Sequence, residues 1–548
     1  MFGWFFPLMV AGTSHPQTQS NSQNATRPNI ILVFSDDHAR QAISAYGSKL
    51  IKTPSIDRLA SQGTLFTRHY TSNPICAPSR ATLLTGLYSH ANGHKDNESK
   101  FDGTQPNIAK MLQSAGYQTA WIGKWHLESN PTGFNHWEIL PGQGAYYQPK
   151  FITPKGNIST TGYVTDIITQ KSLTWLKEAA SQPSPFFLVI GHKAPHRPWM
   201  PGPNSLPLFR NQTFPEPRNL RTDYATLSTA AKAAHMGISS NLRTKDDLMV
   251  NNTPPVLTAP QKSVWESIFK PEDDAYNAEI TKTGDVIGAN YQRYLRNYLR
   301  CISDVDRSLG EVMNFVEGSS ISKNTIIIYA SDQGFFLGEK GWFDKRWFYE
   351  ESAGTPLIVK LPPIQRSQNQ FIQAKGQKVS AITSNVDIAP TILEAAHVQI
   401  PTTMQGESLL PLISSPKDKS VLNQHTEAFG HFYESYDGEH KVAKYVALAT
   451  QRYKIIFYYE LKEWELFDLQ KDPTESLNLA QSDKHAKLLV EMKSKLAHKM
   501  ESIQEDPTVI RQVKAGLQQN HQKQPNASTS FHGVIEKITI QIKSVNPS

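Results

Sequence analysis

The chain has 548 residues, of which 56 are Lys or Arg and 49 are Asp or Glu, so its net charge is +7. This length exceeds what one compact core usually organises, and we expect a large domain with a smaller second unit. The basic excess is small and spread along the chain, so it favours anionic ligands without indicating a nucleic-acid groove. No apolar run reaches the roughly 18 residues of a membrane span, so the sequence predicts no integral membrane segment.

The first 26 residues have the character of a leader. An apolar run, MFGWFFPLMVAG, ends in the small residues Ala11 and Gly12 and is followed by a polar linker. This pattern predicts a secretory signal. The chain has only two cysteines, Cys76 and Cys301. A disulfide-poor exported protein suits a bacterial envelope, so we predict a secreted or periplasmic enzyme.

Apolar runs then alternate with amphipathic stretches along the chain. Strands are predicted at 30–34, 118–123, 186–190, 325–330 and 356–360, and helices at 54–62, 108–115, 163–179, 291–315 and 388–395. This alternation predicts an α/β sandwich around a central, mostly parallel sheet. Polar residues follow the ends of several strands, where such sheets place their ligands.

The remaining segments differ in composition. Residues 198–260 are irregular and Pro-rich, and we expect an insertion of loops and short helices that shapes a substrate cleft. After residue 416 the pattern changes to aromatic strands at 442–449, 453–459 and 464–468, followed by a helix at 482–500. We therefore predict a catalytic domain over 27–415, a C-terminal α+β subdomain with an antiparallel sheet over 416–505, and an extension over 506–548 with one further strand at 535–542.

One eleven-residue segment carries most of the functional information. Residues 76–86 read C-A-P-S-R-A-T-L-L-T-G, which resembles the C-x-P-S-R-x-x-x-L-T-G signature of type I sulfatases in the alkaline phosphatase superfamily. The resemblance extends from residue 27 to about 502 and implies an alkaline phosphatase-like fold and a sulfuric ester hydrolase. It also implies that a formylglycine-generating enzyme oxidises Cys76 to formylglycine (3-oxoalanine), an aldehyde whose hydrate attacks sulfur.

A hard-cation site is predicted beside this segment. Asp36 and Asp37 follow one predicted strand, and Asp332 and Gln333 follow another. Three carboxylates and an amide oxygen suit calcium better than zinc. The resemblance implies that these four residues and the modified Cys76 bind one Ca²⁺. Gln333 stands where the family usually has Asn, and it keeps a carbonyl oxygen on a longer arm.

The resemblance also supplies residues that handle sulfate. Arg80 follows Cys76 by four residues, which places both on one helix face, and its guanidinium suits sulfate oxygens. Lys124 and His126 lie in G-K-W-H-L, and His196 lies in A-P-H-R-P. By resemblance, Lys124 and Lys345 bind sulfate, His126 is a base, and His196 or Lys345 protonates the leaving oxygen.

Two alternatives and the choice of substrate stay open at this point. A phosphonate monoester or phosphodiester hydrolase uses the same C-x-P-S-R element, and an unmodified Cys76 would leave a catalytically silent glycan-binding homologue. The segment around Lys345 resembles bacterial sulfatases that act on sulfated glycans, so we expect a sulfated polysaccharide or oligosaccharide as substrate. Trp342, Asp344 and Arg346 are predicted either to contact its sugar rings or to pack their own loop.

Overall fold

The computed structural model describes residues 27–362, 373–434, 437–438 and 440–518. The predicted leader and most of the predicted extension, including the strand at 535–542, lie outside the described residues. The strands are β1 (Asn29–Ser35), β2 (Thr64–Tyr70), β3 (Gln118–Lys124), β4 (His136–Leu140), β5 (Lys150–Thr153), β6 (Gly156–Ser159), β7 (Phe186–Gly191), β8 (Thr325–Ser331), β9 (Phe336–Leu337), β10 (Phe343–Asp344), β11 (Leu357–Lys360), β12 (Gln377–Ser384), β13 (Glu427–Phe432), β14 (Tyr445–Thr450), β15 (Tyr453–Tyr458) and β16 (Glu463–Asp468). The α-helices are α1 (Pro54–Gln62), α2 (Cys76–Thr85), α3 (Ser89–Asn92), α4 (Ile108–Ser114), α5 (Val164–Ala179), α6 (Thr229–Lys232), α7 (Ala259–Thr283), α8 (Val286–Glu317), α9 (Glu350–Ala353), α10 (Ile388–Ala395), α11 (Leu410–Ser414), α12 (Lys419–Leu422), α13 (Ala486–Ser502) and α14 (Pro507–Gln518). No helix in these ranges is both long enough and apolar enough to span a membrane.

The main sheet has ten strands in the order β12-β2-β11-β8-β1-β7-β3-β4-β5-β6. Its centre, β8-β1-β7-β3-β4, is parallel throughout. All residues of β1 are buried, because helices cover both faces of the sheet. Alternate residues of β1 enter two separate cores, with Ile31 and Val33 in one and Ile30 and Leu32 in the other. The predicted α/β sandwich is confirmed.

The parallel centre decides where polar residues meet. β1, β3 and β8 end at Ser35, Lys124 and Ser331, and parallel neighbours end at the same edge of the sheet. Asp36 follows β1 and Asp332 follows β8. Segments almost 300 residues apart in the sequence are thereby brought to one edge, as open α/β sheets require for their ligand sites.

The second sheet is antiparallel, with the order β13-β14-β15-β16, as predicted for the C-terminal region. Helices α13 and α14 pack against it, and Leu496 and Val513 contribute to their shared core. The sequence analysis did not predict α14, because its polar composition conceals an apolar stripe that includes Val509 and Val513. It also missed α7, where few side chains are buried.

The irregular insertion is held against the loop between β8 and α9. It contains the short helix α6 and otherwise little regular structure between 198 and 258. The Phe343 N–H donates to the Met236 carbonyl at 3.0 Å, and the Ile238 N–H donates to the Gly341 carbonyl at 2.9 Å. Met236 also shares a core with Trp342 and Trp347. The insertion therefore supports the loop that carries Lys345.

Candidate active site

The signature cysteine begins a buried helix at the polar edge of the sheet. Helix α2 starts at Cys76, directly after the extended Ile75, and every residue in it is buried. The Cys76 Sγ lies 3.5 Å from Asp36 Oδ1 and 3.5 Å from Gln333 Nε2. Burial raises the pKa of this thiol to about 12, so the unmodified side chain is a weak nucleophile. The sulfur occupies the position where a formylglycine would carry its oxygen.

Arg80 lies one turn further along α2, and its guanidinium connects this helix to the end of β3 and to the segment after β8. Its Nε and Nη2 donate to Asp332 Oδ2 at 3.2 and 2.9 Å, and Nη1 donates to the Lys124 carbonyl at 2.9 Å. Asp36 Oδ1 is 3.8 Å from Nη2. The guanidinium is fully buried, so these acceptors fix its orientation.

Three carboxylates converge beside Cys76. Asp36, Asp37 and Asp332 can each offer an oxygen within 4.8 Å of the others. Asp37 has a left-handed backbone, with φ at +66°, and its N–H donates to Asp332 Oδ1 at 3.1 Å. The Gln333 Oε1 is buried without a hydrogen-bond partner among the described residues. Three close carboxylates and an orphaned carbonyl oxygen are a donor set that fits a hard divalent cation such as Ca²⁺.

The carboxylates differ in their proton affinities. Burial would raise the pKa of Asp36, but the charges of Lys124, His196 and Arg80 together hold that pKa well below its usual range. Burial raises the pKa of Asp37, with Lys345 opposing. Burial and the charge of Asp36 raise the pKa of Asp332 to about 8. A positive charge added at this point would therefore stabilise the ionised forms of Asp37 and Asp332.

Two lysines balance these acids. The Lys124 amine donates to Asp36 Oδ2 and, at 2.5 Å, to Gln143 Oε1. The Lys345 amine lies 2.7 Å from Asp37 Oδ2. Burial acts against the charge of Lys345, but Asp37 and neighbouring acids raise its pKa above the ordinary value. A cation bound by these carboxylates would weaken their ion pairs with Lys124 and Lys345. Both ammonium groups would then attract an anion such as sulfate.

Two histidines complete the group. His126 follows β3 with φ at +55°, and its Nδ1 is buried with no hydrogen-bond partner in the described part of the chain. Burial, reinforced by Lys124, lowers its pKa to about 2. His196 Nδ1 lies 2.6 Å from the Arg197 carbonyl, which only accepts, so Nδ1 carries the proton. The Nε2 of His196 lies 3.8 Å from Asp37 Oδ2.

The G-K-W-H-L segment needs its glycine for this arrangement. Gly123 has φ at +109°, and a Cβ there would lie 2.0 Å from the Gly191 carbonyl oxygen of the neighbouring strand. The close approach allows β3 and β7 to deliver Lys124 and His196 to one place. The structure thus brings together every residue that the sequence analysis predicted for catalysis and metal binding.

A second polar group lies next to Lys345. Asp344 Oδ1 accepts from Arg346 Nη1 at 2.6 Å, and Asp344 Oδ2 lies 3.4 Å from His440 Nε2 and 3.9 Å from Arg197 Nε. Asp344 and Arg346 have left-handed backbones, with φ at +80° and +85°. Such strained residues are common where side chains must be aimed at a ligand.

Sequence reasoning identified part of this second group and missed the rest. It singled out Asp344 and Arg346 but not Arg197 and His440, although Arg197 directly follows His196 in the sequence. Trp342 packs its own loop, since its ring stacks on Trp347 with centroids 5.3 Å apart and is 1% exposed.

The chain is similar to known proteins over most of its length. The family described as Sulfatase matches residues 28–398, and the one described as N-sulphoglucosamine sulphohydrolase, C-terminal, matches residues 338–502. The chain is 42% identical over 498 residues to an N-acetylglucosamine-6-O-sulfatase of Bacteroides thetaiotaomicron, covering 88% of this chain and 87% of that protein. It is 26% identical to arylsulfatase K of Gallus gallus, covering 86% of this chain and 83% of that protein. A solved structure of a protein in complex with its substrate D-glucosamine-2-N,6-O-disulfate has a TM-score of 0.82 and 39% identity, covering 88% of this chain and 99% of that one.

Proposed function

The chain belongs to the sulfatase family and hydrolyses sulfate esters of a sulfated carbohydrate, and from this premise we propose that its substrate is a glucosamine residue sulfated at O6. The observation that carries the proposal is the 42% identity, over most of both chains, to a protein named N-acetylglucosamine-6-O-sulfatase. The structural relative was solved with glucosamine 2-N,6-O-disulfate as its substrate. We therefore include both the N-acetyl and the N-sulfo form of glucosamine 6-O-sulfate in the proposal.

The polar group beside Lys345 supports a sugar ligand. Asp344 and Arg346 offer a carboxylate and a guanidinium side by side, with Arg197 and His440 close to the same carboxylate. Adjacent sugar hydroxyls can donate to a carboxylate and accept from a guanidinium at the same time. We propose that these four residues hold the glucosamine ring while Lys124, Lys345 and Arg80 hold the sulfate.

We propose that Cys76, as formylglycine, is the nucleophile, and that Asp36, Asp37, Asp332, Gln333 and this modified residue hold one Ca²⁺. Formylglycine supplies the attacking hydroxyl when hydrated, and Ca²⁺ supplies positive charge where oxygen charge develops. Gln333 Nε2 donates to Asp37 Oδ1 at 2.5 Å, and its Oε1 is buried without a partner in the described ranges, so rotation of the amide would turn this oxygen toward the carboxylates and a cation. Arg80, Lys124 and Lys345 bind the sulfate oxygens that the attack makes more negative.

The proton transfers are assigned to the histidines. His196 keeps its Nδ1 proton on the Arg197 carbonyl, so its Nε2 can deliver a proton to the departing O6 only when the ring is an imidazolium with both nitrogens protonated. Lys345 is the alternative donor, but its amine is ion-paired with Asp37. The Nδ1 of His126 has no hydrogen-bond partner in the described part of the chain, and burial lowers the pKa of this ring. As a neutral base, His126 would take the proton from the second hydroxyl of hydrated formylglycine at position 76.

The test is sulfate release from matched monosaccharides. We expect N-acetylglucosamine 6-O-sulfate or the 2-N,6-O-disulfate to be hydrolysed at least 100-fold more efficiently than the 3-O-sulfated isomer and the galactosamine 6-O-sulfate epimer, since a misplaced hydroxyl leaves buried polar groups unpaired. Equal kcat/KM for all four sugars would rule out the 6-O-glucosamine assignment. A longer oligosaccharide series tests the expectation that remote sugar units raise kcat as well as lower KM.

We further propose that the protein is exported to the periplasm or beyond after maturation by a formylglycine-generating enzyme. The apolar run in residues 1–12 supports export. Mass spectrometry of the protein from its host should find cleavage near Gly12 and the mass decrease at Cys76 that results when an aldehyde replaces the thiol. An intact leader with an unmodified Cys76 would contradict both proposals.

A further inference from the structure

The position of Lys124 depends on partners beyond its own strand. Its side chain is fully buried at the end of β3. Its carbonyl accepts from Arg80 Nη1 at 2.9 Å and Trp121 Nε1 at 3.0 Å, so the backbone here is fixed. The amine is bound on one side by Asp36 and on another by Gln143 Oε1. In the described structure two side chains therefore hold this ammonium group, the charged Asp36 and the neutral Gln143.

The turn that carries Gln143 is built to present it. It follows β4 in the sequence P-G-Q-G, and the Gly144 N–H donates to the Pro141 carbonyl at 2.9 Å. Gly144 has φ at +70°, and a Cβ there would lie 2.7 Å from Leu140 Cδ1. The turn thus requires glycine next to Gln143. Because an ammonium group only donates, the amide must turn its Oε1 toward Lys124 and its Nε2 away.

We propose that Gln143 is a positioning residue that aims the ammonium group of Lys124 at the substrate sulfate without neutralising its charge. A carboxylate in this place would bind Lys124 more strongly but would cancel the positive charge that the sulfate needs. An amide oxygen fixes the same geometry with a dipole alone. This role matters most when Asp36 binds the proposed cation, because Gln143 is then the remaining acceptor for the ammonium group of Lys124. The inference rests on the proposed role of Lys124 in sulfate binding.

The experiment compares two substitutions that differ only in the group offered to Lys124. Gln143→Met keeps the length of the side chain and removes the acceptor, whereas Gln143→Glu keeps the acceptor and adds a negative charge. Gln113→Ala, at an exposed glutamine on α4, is the control, and Lys124→Met is the reference. For each protein we would measure kcat and KM for the sugar sulfate, inhibition by inorganic sulfate, the melting temperature and the fraction of Cys76 converted.

We expect Gln143→Met to lower kcat/KM on the order of 10- to 100-fold, the usual effect of losing a charged hydrogen bond. We expect Gln143→Glu to raise KM and the inhibition constant of inorganic sulfate while lowering kcat less than Gln143→Met does. The melting temperature and Cys76 conversion should equal those of Gln113→Ala, which a merely structural role would not predict.

Three outcomes would overturn the inference. The first is a kcat/KM of Gln143→Met within twofold of that of the parent protein. The second is an unchanged inhibition constant of inorganic sulfate in Gln143→Glu. The third is a loss of activity that goes together with a lower melting temperature or a lower fraction of Cys76 converted. Full activity in Lys124→Met would overturn the proposed role of Lys124 and this inference with it. Loss of activity in Lys124→Met together with full activity in Gln143→Met would overturn the inference alone.

Discussion

At the residue scale, the site is a set of opposite charges whose side chains are buried from solvent. Arg80 contacts Asp332, Lys124 contacts Asp36, and Lys345 contacts Asp37. Taking such charges out of water is costly unless every one is paired. Removing one partner therefore affects both catalysis and stability, and the informative substitutions are those that change chemistry without leaving an unpaired charge.

Cys76→Ala is such a substitution. It removes the thiol from which the proposed formylglycine is made and leaves the surrounding charges paired, so we expect activity to fall below detection while the melting temperature changes by only a few degrees. Sulfate release and differential scanning calorimetry on the same preparation would check this. Turnover in Cys76→Ala at more than a small fraction of the parent rate would end the formylglycine proposal.

The proposed metal ligands should differ in their contributions. We expect Asp332→Asn to weaken calcium binding more than Gln333→Ala, because a carboxylate supplies charge and an amide only a dipole. Calcium titration by calorimetry, with elemental analysis of the purified protein, would measure both effects. Stoichiometric zinc without calcium, or a larger loss from Gln333→Ala, would contradict the assigned ligands.

At the element scale, the loop between β8 and α9 positions Lys345 by aromatic packing. Trp342 lies between Tyr224 of the insertion and Trp347, with ring centroids 5.5 and 5.3 Å away. The sequence analysis expected the insertion to shape a cleft, and the structure adds that it supports this loop. Its irregular backbone is held by hydrogen bonds to Gly341 and Phe343 rather than by regular secondary structure.

We therefore expect Trp342→Ala to lower the free energy of unfolding by about 3–5 kcal/mol and also to raise KM, since Lys345 loses its fixed position. Trp464→Ala is the matched control, because Trp464 stacks on Phe457 in the C-terminal sheet at 4.0 Å. That variant should lose stability with KM unchanged. Equal KM values for the two variants would show that the loop does not depend on Trp342.

At the scale of the whole molecule, the second sheet is joined to the first by buried contacts. Lys454 on β15 lies 2.9 Å from Glu350 of α9 and 2.8 Å from Glu475. Tyr70 of β2 and Ala447 of β14 belong to one core. We propose the boundaries 27–415, 416–505 and 506–548 as divisions of sequence, with 416–505 a subdomain rather than an independently folding domain. A single calorimetric unfolding transition would agree with this proposal.

A buried carboxylate near the C-terminus should make this connection sensitive to acid. Glu505 Oε2 lies 3.0 Å from His90 Nδ1 of α3 and 3.0 Å from His431 Nδ1 of β13. Burial opposes its ionisation, but the two histidines hold the pKa of Glu505 well below its usual range. Burial lowers the pKa of His431.

Both shifts predict that stability falls as the solution becomes more acidic. The unfolded chain takes up a proton at His431 below about pH 6.5 and at Glu505 below about pH 4.3, before the folded protein does so. We expect Glu505→Gln to melt at a lower temperature at pH 7 and to show a shallower decline of melting temperature below about pH 4.3, where the parent protein loses the contribution of the Glu505 carboxylate. Glu501→Gln, at an exposed residue of α13, is the control. Parallel curves for the two variants would contradict the role of Glu505.

The sequence by itself predicted the α/β class, which the structure confirms, and it supplied the proposed nucleophile and the proposed metal ligands. These follow from local patterns: a signature helix beginning at Cys76, acidic residues directly after buried strands, and apolar runs alternating with amphipathic stretches. Each depends on a few neighbouring residues whose chemistry can be read without knowing what packs against them. The alternation along 30–34 and 325–330 therefore predicted strands within one residue of β1 and β8.

Only the tertiary structure decided which distant side chains lie beside Lys124, Asp344 and His431. Gln143, Arg197, His440 and Glu505 have no signature of their own, because a single Gln, Arg, His or Glu is usually a solvated surface residue. Their contacts arise from strand order, which places the turn after β4 and the segment after β13 beside side chains from other elements. Helix α14 was missed for a related reason: its apolar stripe is stabilised by the sheet it covers, and burial of that kind depends on the whole fold rather than on local sequence.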